Sequence, residues 1–165
     1  MTVTDIPTVH TPPGGYGDTM PPPILAGCDD PVAPDAPDLQ GVWTVVGASD
    51  NDGNPLPGDH PIWRHVERIE QAGPRVVVTS DGIIHDMVAD GTYENGVNDV
   101  MASDFTTPIS VAATYEDGVL VLRPRGLPGV EVRRWREGDE LVWRYHTLFT
   151  TRMARTNLHE APPSA

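Results

Sequence analysis

The chain has 165 residues, 24 of them acidic and 11 basic, and a net charge of −13. Such a balance repels phosphate backbones and anionic headgroups, so neither nucleic acid nor a membrane surface is an expected partner. A single cysteine excludes an intrachain disulfide, and no apolar stretch approaches the ~20 residues of a membrane helix.

Half of the 18 prolines fall in the first 37 residues. Residues 1–63 carry nine acidic groups and no basic one. Fixed φ angles and missing N–H groups deny this segment a regular helix or a central strand. Residues 1–38 therefore read as an acidic, Pro-rich tail with one apolar knot, Ile24-Leu25. The tail is either solvated or a lid laid across a barrel mouth, and removing residues 1–36 is expected to leave the fold intact. With no basic n-region and no continuous apolar h-region it does not read as a secretory signal, so the expected location is cytoplasmic.

From residue 39 the pattern changes. Val42–Val46 reads as a strand, and residues 49–63 as a polar loop with prolines at 55, 57 and 61. Val66–Gln71 and Arg75–Thr79 form a hairpin broken at Ala72-Gly73. Asp81-Gly82 turns into Ile83–Val88, and Asp90-Gly91 turns towards a strand at Thr92–Glu94. Ile109–Tyr115, Val119–Leu122, Val130–Arg136, Leu141–His146 and Phe149–Met153 follow. Asp-Gly pairs at several turns are hairpin signals. No window carries a helical apolar stripe. The reading is an all-β fold: a single antiparallel up-and-down barrel of eight to ten strands over residues 39–157, with a C-terminal tail at 158–165. An open sheet of this size would leave two exposed edges, and closure removes them.

Leu39–Val46, with Gly41-Val42-Trp43 at its centre, resembles the Gly-x-Trp first strand of lipocalins and fatty-acid-binding proteins. Arg68–Gly73 resembles an early hairpin of the fatty-acid-binding type, and Gly138–Trp143 with Phe149–Met153 resembles its final hairpin. The resemblance implies a calycin-like barrel that encloses a small hydrophobic molecule. Two departures stand out. Residues 49–57 cannot form that family's helical lid, and Ala154 stands where a carboxylate clamp would place a Tyr.

The resemblance and the need for closure make Trp43 and Arg152 expected neighbours on the first and last strands. Strand alternation supplies the candidates for a ligand site. Trp143 and Tyr145 share a face with Leu141, opposite Arg144 and His146, and burying the aromatic face is worth more, so Tyr145 is expected inward. Arg134 and His85 sit mid-strand among apolar neighbours, where an inward direction is open to them. An inward Arg134 needs a partner, which a ligand carboxylate or an internal Asp could provide. Arg152 itself either closes the barrel or meets an anionic ligand. No metal-ligand spacing, nucleophile elbow or phosphate loop is present, and no cofactor is expected. Binding of a small, largely apolar molecule is the leading reading. A non-hydrolytic barrel enzyme of cyclase or isomerase type, or an interaction module working through the acidic tail with a filled barrel, are its alternatives. Oligomeric state is not legible.

Overall fold

The computed structural model describes residues 1–156; the expected C-terminal tail, 158–165, lies outside the described residues. Ten strands follow one another: β1 (Gly41–Ser49), β2 (Val66–Ala72), β3 (Arg75–Ser80), β4 (Ile83–Val88), β5 (Val97–Val100), β6 (Pro108–Glu116), β7 (Val119–Pro124), β8 (Val132–Glu137), β9 (Glu140–Tyr145) and β10 (Phe149–Thr156). All paired neighbours are antiparallel, in the order β4-β3-β2-β1-β10-β9-β8-β7-β6-β5. The first and last strands thus meet in the middle of the sheet. Its two edges are the mid-chain strands β4 and β5, which curl together into a nearly closed barrel.

The strand expected at Thr92–Glu94 is instead a turn. Asp90 accepts hydrogen bonds from Thr92 and Asn95, which ties residues 90–95 into a local knot. Such side-chain bonds compete with a ladder. The strand itself comes later, at Val97–Val100, where two polar residues between valines hide the signal.

Alternation sorts the side chains cleanly. Trp43, Ile69, Val76, Val78, Met87, Val97, Ala113, Leu120, Leu141 and Met153 point inward and form one continuous core. One end of the barrel is sealed. Leu39 plugs it, and the Gln71 amide holds the plug by accepting from Leu39 N and donating to the Pro37 carbonyl and the Tyr115 hydroxyl. Trp43 donates its indole N–H to the Leu39 carbonyl at 2.8 Å. Leu39, Trp43, Leu141 and Met153 are wholly excluded from water, so this half holds no water-sized void beside them.

The Pro-rich segment is a strap on the outer wall. Leu25, with half-buried Val3, Ile6, Val9, Tyr16 and Ile24, packs on Ala72, Val77 and Ile84, the outward faces of β2, β3 and β4. Its backbone is satisfied by wall side chains. Arg75, ion-paired with Asp86, donates to the carbonyls of Val3, Ile6 and Pro7. Asp86 accepts from Val9 N, and Glu70 accepts from Ile24 N and Leu25 N. Ile24 and Leu25 therefore lie against the wall rather than across a mouth. Thr11 bonds both Ile84 on β4 and Asp99 on β5, bridging the unpaired seam.

Candidate functional site

The expected contact between Trp43 and Arg152 is not made. Trp43 pairs with Arg155, whose guanidinium lies 4.7 Å from the indole centroid. Arg136 approaches the same ring at 5.4 Å. Arg152 is paired with Gly47 and reaches outward to Glu137 and Glu140, with nearly half its side chain exposed. The cause is parity. Thr151 and Met153 on β10 are buried inward, so Arg152 must face out, and an odd step of three residues turns Arg155 back in. Gly41 makes the approach possible. A Cβ there would lie 2.9 Å from Arg155 Nε, and its φ of +135° suits glycine.

The opposite end carries the remaining inward candidates. Trp143 lies in the core with Leu141, and Tyr145, on the same strand face, meets it edge-on at 6.1 Å from the exposed rim, while Arg144 is outside over Trp135. Trp143 is 7% exposed and Tyr145 38%. Phe149, the β10 partner of Tyr145, stacks on it at 5.4 Å and meets Trp143 edge-on at 5.2 Å. These rings make an aromatic wall that deepens from open to buried. The loop before β2 covers part of this end, inserting Ile62 into the core with Leu56 and Trp63 beside it.

Beneath the wall lies a buried polar chain. Arg134 crosses the lumen from β8 to β2 and holds Glu67 with Nε and Nη2 at 2.8 and 3.1 Å. Glu67 is 0% exposed and also accepts from His65 Nε2 at 2.7 Å. His65 Nδ1 meets Asp81 at 2.7 Å. Both imidazole nitrogens face carboxylates, so both carry protons and the ring is a cation. Burial opposes that charge, but the hydrogen bonds to Asp81 and Glu67 outweigh it and raise the His65 pKa to about 9. Burial likewise works against the Glu67 carboxylate, yet the Arg134 charge and the His65 bond hold its pKa down at about 2. Two cations and two anions cancel. His65 stacks on Trp143 at 4.5 Å, and Arg134 lies 5.0 Å from the same ring.

Arg134, Trp143 and Tyr145 thus come together, and the partner Arg134 requires is Glu67. His85 sits apart on inward β4, at the seam, with Nε2 3.2 Å from the Val100 carbonyl. Burial lowers its pKa. His65, Glu67, Asp81 and Phe149 were not among the sequence candidates. His65, in extended backbone just before β2, stands two residues from Glu67 and so projects to the same side, which is the signal the sequence holds. Among the described residues no group of three His, Cys, Asp or Glu side chains is placed to hold a metal ion, and no helix is long and apolar enough to cross a membrane.

The barrel is shared with solved structures. Human cRBP IV superposes with a TM-score of 0.53 at 16% identity, covering 72% of this chain and 98% of that one. The likeness is one of fold: an antiparallel up-and-down β-barrel. No family model matches the sequence, and no curated protein does.

Proposed function

We propose that the open end of the barrel binds a small, largely apolar molecule with an uncharged polar end. The observation that carries this reading is the graded aromatic wall, Tyr145 and Phe149 over Trp143, above a floor whose charges are already paired. Apolar walls with a few convergent polar groups are the usual form of a small-molecule site. Size follows from the packing: the half around Trp43 and Leu39 is full, so the ligand occupies the aromatic half alone. Charge follows from the floor. Glu67 neutralises Arg134, so an incoming carboxylate would gain one cation and meet one anion. Trp143, Tyr145 and Arg134 are the contact residues in this reading. His85 lines the seam side, and Arg152 has no part.

The filled lower half also favours a second reading, an interaction module whose barrel is a scaffold. Calorimetric titration with 2-acetylnaphthalene and with 2-naphthoate separates the two. A neutral-probe Kd at least tenfold below that of the anion, lost in the Tyr145→Ala/Phe149→Ala variant, supports the binding reading. Absence of binding by either probe overturns it.

A further inference from the structure

Each of the four tryptophans has one indole N–H to satisfy. Trp43 donates to the Leu39 carbonyl, Trp63 to the Pro57 carbonyl and Trp135 to Glu137. Trp143 alone has no acceptor, although its Nε1 is buried. Its surroundings make the omission conspicuous. Both His65 nitrogens, both Glu67 oxygens and Arg134 Nε and Nη2 are all bonded. A buried donor without a partner loses its hydration and recovers nothing, which is why such groups are rare. The Trp143 ring is packed between its aromatic neighbours. His65 covers it at 4.5 Å, and Phe149 and Tyr145 abut it edge-on.

We infer that the Trp143 indole N–H is the hydrogen-bond donor of the open-end site, and that its ligand presents an uncharged oxygen acceptor to it while an aromatic or conjugated body lies against Tyr145 and Phe149. This rests on the binding reading given above. The chemistry is directional. The floor below Trp143 is internally complete, with two cations matched by two carboxylates, so it has no charge left over with which to select an ion. The orphaned donor is neutral and suits a carbonyl, ether or hydroxyl oxygen. A ligand of similar shape without an acceptor would leave the N–H stranded, and a stranded polar group is how a site rejects an analogue. Selectivity for an acceptor-bearing ligand is therefore carried by one atom of one side chain. The surrounding rings supply affinity that does not distinguish the two.

The test uses the full chain and two probes of nearly equal shape, 2-acetylnaphthalene and 2-ethylnaphthalene. The unaltered protein is expected to bind the ketone about tenfold more tightly, the size of one net hydrogen bond in a dry site. In Trp143→Phe, which also trims the aromatic wall, both affinities are expected to fall but the ratio between the two probes is expected to approach one, and residual binding of both reports that the site still stands. A second measurement needs no variant. Among the indole N–H resonances, that of Trp143 is expected to move downfield on adding the ketone and to move little with the hydrocarbon. If both probes bind and the preference survives Trp143→Phe, or the Trp143 resonance responds equally to both, the indole assignment is overturned and the binding reading stands. If neither probe binds, both fall.

Discussion

Replacing Glu67 by Gln tests the polar floor most severely. The substitution keeps the shape of a wholly buried side chain and removes its charge. In the native protein that charge faces Arg134 through bonds of 2.8 and 3.1 Å and His65 through one of 2.7 Å. The variant leaves Arg134 buried with no counter-charge on its side of the lumen, and removing one member of a buried pair typically costs 3–5 kcal/mol. His65 softens the loss, because it keeps Asp81 and can also shed its proton. The expected cost is therefore at the lower end, about 3 kcal/mol. At roughly 2–4 °C per kcal/mol for a domain of this size, Tm should fall by about 10 °C. Scanning calorimetry at pH 7 measures it. Adding Arg134→Met should recover most of the loss, since it removes the stranded charge. A Tm shift below about 3 °C for Glu67→Gln would refute the claim that this pair is dry and closely coupled.

The same chain sets a pH profile. Glu67 titrates at about 2 when folded against an ordinary 4.5, so its contribution should be lost as pH falls from about 4.5 towards 2; His65, raised to about 9 from 6.5, should lose its contribution as pH rises from 6.5 to about 9. Urea unfolding across this range should give a plateau near pH 5–6, and His65→Gln should flatten the alkaline limb; an unchanged limb would contradict the His65 assignment. Deleting residues 1–36 should lower Tm by more than about 10 °C or cause aggregation, because it bares Val77 and Ile84 and strips the Arg75 guanidinium of its carbonyl acceptors. A melt within a few degrees of the full chain would show that the strap is dispensable. Arg155→Ala should cost about 1 kcal/mol by removing a cation from Trp43, whereas Arg152→Ala, on an exposed ion pair, should stay within about 0.5 kcal/mol. Equal effects in chemical denaturation would contradict the assignment of closure to Arg155.

The barrel was legible because its evidence is periodic. Hairpin turns, short alternating strands and a Gly-x-Trp opening all survive in one dimension, and alternation alone puts Trp143 and Tyr145 on one face, of which Trp143 is buried in the core and Tyr145 stands exposed at the rim. Which arginine meets Trp43 depends on the pairing register of β1 with β10, which shifts by a residue between Val45 and Gly47. Arg152 faces out by the parity of β10, and the register sets Arg155, three residues on and of opposite parity, opposite Trp43, a pairing that spans 112 residues of sequence and leaves no local signal. The sequence leaves the strap either solvated or a lid, because its own apolar content is small. Its order comes from Arg75, Asp86 and Glu70, charged groups of the wall that satisfy its backbone. The Glu67 partner of Arg134 was invisible for a similar reason: the two are 67 residues apart, and their contact crosses the lumen between strands that do not pair.

The most direct test of the binding account is a crystal structure of the protein grown with 2-acetylnaphthalene. The account predicts the naphthalene rings against Tyr145 and Phe149 with the ketone oxygen at hydrogen-bond distance from Trp143 Nε1. A probe found instead in the outer groove beside Asp99 and Ile109, with the aromatic end unoccupied, would contradict it.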